Sequence, residues 1–410
     1  MATVQPFKIV RPTRDKANLV VSRSYHAYSD EELKLRLSYN PYSFLHIINP
    51  GFKFEKEISG EKRFKLVRNR YQEFKDEHFF IQEKKPAFML YKIMTRTHTF
   101  TGIIGAVSVQ DYEENIIKVH ENTLEKKEEL FKNYLNTVGF NAEPVLITYP
   151  DNNTLDITFS EIMKTRPEYE FSTTDRVDHH LWLINDDEIT QKITAEFAKM
   201  DSLYIADGHH RSASSSLLAK DYKKDGEFIE GVSQNHFMSF LIPESNLQIF
   251  EFYRLIEDLN GLSKDEFLMD LDEHFRIENR GHHLYKPTKQ HHFSMYLDGE
   301  FYSLYLRKSN YNFENTLDEL DAQILYNLIL KPILNIVDLR NNKRIDYLSG
   351  TKDVMQLKET VDSGKFKVAF GMVPITVAKM KQIADEGLKM PPKSTYIRPK
   401  LRSGLTIYEF

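Results

Sequence analysis

The stretch from residue 202 to residue 222 constrains the fold of this chain more than any other. Residues 202–206 (SLYIA) form a short apolar run of the kind found in buried strands, and residues 212–222 have the length and composition of a helix. Gly208 lies between them and permits a sharp turn of the backbone. This order predicts that four ionisable side chains lie where a strand ends and a helix begins: Asp207, His209, His210 and Arg211.

The predicted junction is suited to binding an anion. The first N–H groups of a helix have no acceptor within the helix, and they stand at the positive end of its dipole. Arg211 adds a planar guanidinium that fits phosphate or carboxylate, and the small residues that begin at Ser212 would let a ligand approach closely. A simpler interpretation is that Asp207 caps the helix and the histidines are solvated. The crowding of ionisable groups around Gly208 favours the core of an active site.

Composition excludes several classes of protein. The chain has 410 residues, enough for two domains, and a formal net charge of -5. That charge argues against a nucleic-acid partner, because such proteins usually carry a basic face. The absence of cysteine excludes disulfides, thiolate nucleophiles and cysteine–zinc sites. No apolar run reaches the roughly 18 residues of a membrane span, and no signal peptide is evident. We therefore expect a soluble, cytoplasmic protein without a membrane partner.

A second stretch with candidate catalytic groups lies at residues 116–138. Asn122, with Glu125 three positions later, predicts a capping box that opens a helix. His120 and Glu121 would then lie just before the helix N-terminus. Glu121 could act only as a carboxylate that stabilises the helix dipole, or as a general base that His120 adjusts. Both roles stay open on the residues alone.

The basic segment at residues 390–405 is a candidate phosphate-binding loop. Its spacing resembles a P-loop, but Pro392 stands where that motif needs a second glycine, so it is not a Walker A sequence. Its lysine, arginine and hydroxyl side chains could still hold phosphate groups: Lys393, Ser394, Thr395, Arg398 and Lys400. A solvated basic loop is the alternative. To share a site with residues 207–212, this end of the chain must fold back.

The hydrophobic pattern predicts short strands alternating with helices, and therefore an α/β fold. We expect an N-terminal region at residues 1–235, which carries the His-Glu and Asp-Gly-His-His-Arg motifs. A C-terminal α/β region would follow at residues 236–410, and its basic end would return to the site. No low-complexity linker marks the boundary between them.

Three local predictions bear on this arrangement. Residues 43–48 have the pattern of a strand. Residues 236–242 and 248–256 have the pattern of two strands that pair with each other. The clearest prediction is a hairpin at residues 293–306, because Asp298-Gly299 separates two apolar runs and favours a type I′ turn.

Adjacent histidines recur along the chain, which argues against simple metal sites. Neighbouring side chains point about 100° apart on a helix and to opposite faces of a strand. The string Asp178-His179-His180 resembles the signature of DHH phosphoesterases, but the aspartate-rich motifs that complete that metal site are not evident. A metal-dependent phosphohydrolase therefore stays an alternative function.

Five motifs together resemble the family known as domain of unknown function 1015, and the resemblance runs nearly end to end. The motifs are NPYSFLHI at 40–47, TGIIG at 101–105, KVHENT at 118–123, YIADGHHR at 204–211 and MPPKST at 390–395. The chain departs from the family pattern near its N-terminus, where Ser24 and His26 replace the outer residues of a Pro-Tyr-Asp sequence. It also departs at Arg176 and Asp178, where relatives carry glycine and arginine. These departures could change the acceptor or abolish activity.

The family in turn resembles, more distantly, the ParB N-domain and sulfiredoxin superfamily, whose members include free serine kinases. This resemblance implies an α/β (α+β) fold of mixed sheets with flanking helices, with a nucleotide-binding core and a second α/β region. It also implies transfer of a phosphoryl group from ATP or ADP, with Mg²⁺, to the hydroxyl of free L-serine. Sulfiredoxin chemistry requires a cysteine and ParB function a DNA-reading module, and the sequence shows neither.

A kinase of this kind assigns roles to the candidate residues. Asp207 would hold Mg²⁺, His209 or His210 would donate to the transferring group, and Glu121 would accept the serine hydroxyl proton. His120 and His179 are possible substrate contacts. The residues expected at the nucleotide phosphates are Gly208, Arg211, Ser212, Lys393, Ser394, Thr395, Arg398 and Lys400. A non-catalytic nucleotide-binding regulator is the alternative if the departures remove acceptor chemistry.

Overall fold

The computed structural model of the protein describes residues 1–351 and 354–410, and the side chains of His26 and Val354 lie outside this description. The chain forms two compact units. The first consists of Met1–Val119, Thr123–Leu247 and Pro399–Phe410, and the second of His120–Asn122 and Gln248–Arg398. Each unit therefore draws on more than one stretch of the sequence.

The first unit contains short strands and amphipathic helices in alternation. Its strands are β1 (Val4–Gln5), β2 (Val10–Pro12), β3 (Phe80–Gln82), β4 (Phe88–Met94), β5 (Thr99–Ser108), β6 (Ile117–Lys118), β7 (Phe140–Asn141), β8 (Val145–Tyr149), β9 (Tyr169–Ser172), β10 (Asp178–Ile184), β11 (Leu203–Asp207), β12 (His236–Pro243) and β21 (Tyr408–Glu409). Its helices are α1 (Ala17–Val20), α2 (Asp30–Tyr39), α3 (Leu45–Ile48), α4 (Gly60–Asp76), α5 (Val109–Glu113), α6 (Glu125–Val138), α7 (Asn153–Ile162), α8 (Asp187–Ala198) and α9 (His209–Lys220).

A mixed sheet forms the centre of the first unit. Its strand order is β6-β11-β8-β12-β5-β4-β10-β9, with β1 beside β5. The pairs β6–β11 and β8–β12 are parallel, and the other neighbours are antiparallel. Leu90, Ile103 and Ile147 of the sheet pack with Leu155 of α7 and Phe197 of α8 in one buried cluster. Leu203 and Ile205 of β11 belong to the same cluster, so packing fixes the strand that ends at Asp207.

Residues 399–410, which we call the C-terminal strap, run through the first unit. Ser403 and Ser22 exchange backbone hydrogen bonds of 2.9 and 3.2 Å, and β21 pairs with β7. Gly404 has a φ of +84°, and a Cβ atom there would lie 2.8 Å from the Phe44 ring, so the strap needs glycine at this point. The strap is therefore fixed at several places along its length.

The second unit contains a separate antiparallel sheet. Its strands are β13 (Gln248–Phe250), β14 (Phe252–Ile256), β15 (Phe275–Gly281), β16 (His292–Leu297), β17 (Glu300–Leu306), β18 (Ile345–Ser349), β19 (Val368–Gly371) and β20 (Tyr396–Arg398). Its helices are α10 (Lys264–Asp272), α11 (Asp321–Leu325), α12 (Val354–Asp362) and α13 (Val377–Asp385). The strand order is β15-β17-β16-β19-β14-β18, and β13 pairs with β20. Leu357 and Val361 of α12 cover one face of the sheet in a buried cluster.

The fold class predicted from the sequence, an α/β chain of mixed sheets with flanking helices, is confirmed. The Asp-Gly hairpin is also confirmed, since β16 pairs with β17 and both Asp298 and Gly299 have positive φ, as a type I′ turn requires. In the described ranges, none of the helices is both long enough and apolar enough to cross a bilayer.

Two local predictions are wrong. Residues 45–48 form the helix α3, whose first turn is supported by the Ser43 hydroxyl accepting from the Leu45 N–H; a short apolar run has no period that separates helix from strand. β12 pairs with β5 and β8, whereas residues 248–256 pair with β18, β19 and β20. Because β12 is an inner strand of the first sheet, residues 236–247 lie in the first unit, and the long stretch of the second unit starts at Gln248.

A buried carboxyl in the second unit predicts a pH-dependent stability. Asp321 is 3% exposed, its Oδ1 accepts from the His291 N–H at 2.8 Å, and its Oδ2 has no partner among the described residues. Burial raises the pKa of Asp321 to about 7. The folded protein therefore binds this proton more tightly than the unfolded chain does. As a result, the free energy of unfolding falls as pH rises from about 4 to about 7.

Replacing Asp321 by asparagine should flatten this dependence. At about 1.4 kcal/mol for each pKa unit, the wild type should lose about 2.6 kcal/mol between pH 5 and pH 8. Urea unfolding at pH 5 and pH 8 measures the loss for both proteins. Asp265→Asn, at an exposed position of α10, is the matched control and should keep the wild-type slope. Equal slopes for Asp321→Asn and wild type would contradict the assignment.

Candidate functional site

The strand-to-helix junction has the predicted order. β11 ends at Asp207, and Gly208 has a φ of +102°, in the left-handed region that favours glycine. The Gly208 carbonyl accepts from the Arg211 N–H at 2.8 Å and from the Ser212 N–H at 3.1 Å, which closes the first turn of α9. Gly208 is the N-cap residue, so the alternative in which Asp207 caps the helix is wrong. We call this segment, residues 207–212, the Gly208 turn.

The Arg211 guanidinium lies over the Gly208 turn. A Cβ atom at Gly208 would lie 2.8 Å from Arg211 Nη2 and 3.0 Å from Nε, so the missing side chain lets the guanidinium approach the backbone. Arg211 Nη1 also forms an ion pair with Glu143 Oε1 at 3.1 Å. The Glu143 N–H donates to Asn141 Oδ1 at 3.1 Å, which orders the segment before β8. Arg211 is thus held at the turn, while 26% of its side chain stays exposed.

Asp207 pairs with Lys400 of the C-terminal strap. Lys400 Nζ lies 2.8 Å from Asp207 Oδ2, and the two side chains are 47% and 43% exposed. Burial alone would raise the pKa of Asp207, but the charges of Lys400 and Arg211 overcome that effect and lower the pKa to about 2. The carboxyl is therefore ionised at neutral pH. The structure brings these partners together although 193 positions separate them in the chain.

Each cation at the Gly208 turn is paired with a carboxylate. Arg211 is paired with Glu143, and Lys400 is paired with Asp207. An arginine has five N–H donors and a lysine three, so each cation can keep its carboxylate partner and still donate to a second anion. The dipole of the twelve-residue helix α9 adds positive potential at the same end. The arrangement can therefore bind a phosphate group.

The small residues of α9 face the protein and not a ligand. Ser212 is fully buried, and its hydroxyl donates to the His209 carbonyl at 3.0 Å. Ser214 and Ser215 are buried as well, and they donate to carbonyls one turn earlier. These short side chains let α9 pack closely on α6. His209 is also buried, whereas His210 is half-buried. We therefore leave Ser212 out of the proposed phosphate contacts.

The surroundings of Asp207 do not fit the expected Mg²⁺ site. Its Oδ2 is engaged by an ammonium group at 2.8 Å. Within residues 1–351 and 354–410, no three His, Asp or Glu side chains are grouped so that they could hold a metal ion. Hard divalent cations need several oxygen ligands. We therefore assign no resident metal to Asp207.

His179, a possible substrate contact, lies inside the first unit. It is 1% exposed on β10, its Nδ1 lies 2.7 Å from the Tyr91 hydroxyl, and its ring stacks on Phe171. Burial, with the nearby charge of Arg402, lowers the pKa of His179 to about 3. The imidazole is therefore neutral at physiological pH. It has no surface to offer a ligand, and we leave it out of the proposed site.

Three residues that depart from the family pattern, Arg176, Asp178 and Ser24, lie in turns or at a strand pair of the first unit. Arg176 has a φ of +58°, a conformation that favours glycine, which agrees with the glycine expected there in relatives. The Arg176 N–H donates to the Thr173 carbonyl at 2.9 Å, so the turn forms despite the side chain. Asp178 accepts from the Ser172 hydroxyl across the β9–β10 pair. Ser24 is the N-cap of a short 3₁₀ turn at Tyr25–Ala27.

Two further motifs meet in the second unit. The Met390 N–H donates to the His120 carbonyl at 2.9 Å, so the segments around His120 and Met390 lie side by side. His120 is fully buried and Glu121 half-buried. The predicted capping box at Asn122 is wrong, because Leu124 is the N-cap of α6 and its side chain accepts no hydrogen bond. The role of Glu121 as a base stays a prediction.

The remaining phosphate-binding candidates also belong to the second unit. Lys393 is exposed, and Thr395 and Arg398 are half-buried. Ser394 is 7% exposed, and its hydroxyl donates to the Pro391 carbonyl at 2.7 Å, which closes the turn. The hydroxyl of Ser394 is thus used within the chain. The roles of Lys393, Thr395 and Arg398 as phosphate contacts stay predictions.

Sequence reasoning missed Glu143, the partner of Arg211. It lies in the sequence Asn-Ala-Glu-Pro between α6 and β8, where a carboxylate would ordinarily be read as a solvated loop residue. Its pairing with Arg211 arises because β8 and β11 are neighbours in the sheet. No local pattern encodes that neighbourhood.

Comparison with curated proteins finds no match. Among solved structures, a free serine kinase variant in complex with AMP superposes with a TM-score of 0.39 and 11% identity, covering 75% of this chain and 92% of the kinase. SbnI from Staphylococcus aureus, truncated at its C-terminus, gives a TM-score of 0.39 and 12% identity over 74% of this chain and 85% of that one. A conserved hypothetical protein from Pyrococcus furiosus gives a TM-score of 0.37 and 13% identity, over 74% of this chain and 95% of that one.

The sequence also matches a family model over residues 4–323. The match includes the motifs at residues 40–47, 101–105, 118–123 and 204–211, whereas the motif at 390–395 lies beyond it. The family resemblance inferred from these motifs is therefore confirmed. The chain belongs to the DUF1015 family, whose description is a protein of unknown function.

Proposed function

We propose that this protein is a nucleotide-dependent kinase that phosphorylates a small hydroxy amino acid. The observation that carries the proposal is the pairing of Lys400 with Asp207 beside Arg211, at the N-terminus of α9. These groups form a preorganised site for the phosphates of ATP or ADP. The resemblance recognised in the sequence motifs makes free L-serine the first acceptor to test.

The reaction asks mainly for charge neutralisation and positioning. The hydroxyl oxygen of the acceptor attacks the terminal phosphorus of the nucleotide, and the bond from that phosphorus to the bridging oxygen breaks. The nucleotide leaves with one phosphoryl group fewer, and the hydroxyl proton passes to a base. Arg211 and Lys400 neutralise the terminal oxygens, and Asp207 and Glu143 keep these cations in place. Glu121 remains the predicted base.

One experiment tests the function against its alternatives. The full chain is incubated with ATP or with ADP, each supplied with Mg²⁺, and with a pool of amino acids, and the products are separated by mass spectrometry. Formation of O-phosphoserine supports the kinase. Free phosphate without a phosphorylated acceptor would indicate a phosphohydrolase. Nucleotide binding without any product would indicate a non-catalytic regulator.

Replacing Lys400 by methionine should weaken nucleotide binding. A hydrogen bond to a charged group contributes about 1.5–3 kcal/mol, so we expect the dissociation constant for ADP to rise on the order of tenfold or more. Loss of the ammonium should also raise the pKa of Asp207, because burial then acts with less opposition. Titration calorimetry measures the affinity. Lys84→Met, at an exposed position of the first unit, is the matched control; equal affinities for the two variants would contradict the role of Lys400.

A further inference from the structure

A buried arginine in the second unit, Arg254, has no carboxylate partner among the described residues. Arg254 lies on β14, between β18 and β19, and is 2% exposed. A charged group this deeply buried is usually paired with an opposite charge, because removing it from water is costly. Among the described residues, Arg254 forms no ion pair with a carboxylate, and its contacts are to carbonyls, a thioether and an aromatic ring.

The contacts of Arg254 lead to the motif at residues 390–395. Nη1 donates to the Phe252 carbonyl at 2.5 Å, and Nη2 donates to the Lys393 carbonyl at 3.3 Å. The ring of Tyr347 lies 5.8 Å from the guanidinium carbon. Burial lowers the pKa of Arg254 to about 10, so the group is still a cation at neutral pH. Arg254 therefore places a positive charge against the backbone of Lys393, in the segment that precedes β20.

The turn that Arg254 contacts is strained. Residues 391–394 have proline at the second position and Lys393 at the third, where the φ of +59° would favour glycine or asparagine. The Ser394 hydroxyl closes the turn on Pro391. A non-glycine residue in this conformation is unfavourable, and such strain concentrates at ligand sites. Arg254 holds the carbonyl of the strained residue, and Lys393 keeps its side chain exposed.

Further positive charge and aromatic surface adjoin the turn. Lys393 Nζ lies 5.4 Å from the centre of the Phe252 ring, and the Arg398 guanidinium lies 5.4 Å from the centre of the Phe250 ring. Tyr396 is the cross-strand partner of Phe250 in the β13–β20 pair. Phe252 is buried, whereas Phe250 and Tyr396 are half-buried, so the aromatic surface beside the cations is that of Phe250 and Tyr396. Cations next to partly exposed rings suit a ligand that is both anionic and aromatic.

We propose that the 391–394 turn, whose backbone Arg254 holds, is a binding site for the phosphate of a nucleotide such as AMP. Lys393 contacts the phosphate, and Arg254 is a positioning residue that fixes the Lys393 backbone and adds its charge. The site rests on the proposed function for its ligand class, a nucleotide, and adds Arg254 as the residue that positions Lys393. It is nevertheless tested by binding alone, without an acceptor, so a lack of kinase activity leaves it standing.

The test compares ligands and variants of the full chain by titration calorimetry. AMP, adenosine and inorganic phosphate are the probes, and Lys393→Met is the principal variant. Its matched control is Lys365→Met, since Lys365 is also an exposed lysine over a phenylalanine ring, that of Phe366. We expect AMP binding to weaken about tenfold in Lys393→Met, with adenosine binding unchanged and Lys365→Met like wild type. Weakened binding of inorganic phosphate as well would assign the site to a free anion in addition to a nucleotide.

The positioning role of Arg254 needs a readout that misfolding does not mimic. Arg254→Lys keeps the charge and removes the planar fork, and a thermal unfolding scan establishes that the variant is folded. We expect it to weaken AMP binding in the wild-type background and to have no further effect when Lys393 is already methionine. Equal AMP affinities for Lys393→Met and Lys365→Met would overturn the site. Additive effects of the two substitutions would overturn the positioning role.

Discussion

Replacing Arg211 by methionine is expected to weaken binding of ADP on the order of 100-fold. The substitution removes a guanidinium that lies over the Gly208 backbone and is steadied by Glu143, and with it the charge-assisted hydrogen bonds to a phosphate. Methionine keeps the aliphatic part of the side chain, so α9 should still form. Titration calorimetry with ADP measures the affinity, and urea unfolding checks the fold.

Arg166→Met is the control for this experiment, because Arg166 is exposed elsewhere in the first unit. It should bind ADP as the wild type does. If Arg211→Met and Arg166→Met retained the same affinity, the phosphates would have to bind away from the Gly208 turn. The proposed function would then lose the observation on which it rests.

Replacing Gly208 by alanine should produce two losses together. The φ of +102° is unfavourable for any residue with a Cβ atom, and the new methyl group would lie 2.8 Å from Arg211 Nη2. We expect the free energy of unfolding to fall by about 1–3 kcal/mol, because the backbone must hold a strained conformation. We also expect ADP affinity to fall nearly as far as in Arg211→Met, because the guanidinium is pushed off the turn.

Gly226→Ala separates these two effects. Gly226 has a φ of +87°, but a Cβ atom there would meet nothing within 4 Å. This variant should lose stability through backbone strain while ADP affinity stays at the wild-type value. Unfolding and calorimetry are measured on both glycine variants. A parallel loss of affinity in Gly226→Ala would mean that general destabilisation, and not the position of Arg211, weakens binding.

The sequence predicted the Gly208 turn because its determinants are local. An apolar run, a glycine and a helix-length segment follow one another, and each adopts in the fold the conformation that its local sequence favours. The orientation of the serines in α9 could not be predicted from the sequence in the same way. Small side chains suit the approach of a ligand and the approach of a neighbouring helix equally well, and Ser212 is used for packing.

Partners that are distant in the chain could not be predicted in the same way. Lys400 reaches Asp207, and Glu143 reaches Arg211, only because the sheet order and the C-terminal strap bring them together. Arg254 is an intermediate case. In the strand FYRLI, alternation places Arg254 on the same face as Phe252 and Ile256, so a buried arginine could have been suspected. The hydrogen bond from Arg254 to the Lys393 carbonyl depends on the tertiary fold, so the sequence alone does not predict it.

The course of the C-terminal strap has a consequence for the order of folding. Lys400 leaves the ribosome after the whole of the second unit has been synthesised, and closing a loop of 193 positions is a slow, non-local event. A nascent chain can therefore complete the central sheet of the first unit while Asp207 still lacks its cation. During synthesis, Asp207 and the N-terminus of α9 therefore gain the Lys400 ammonium only after the whole of the second unit has been made.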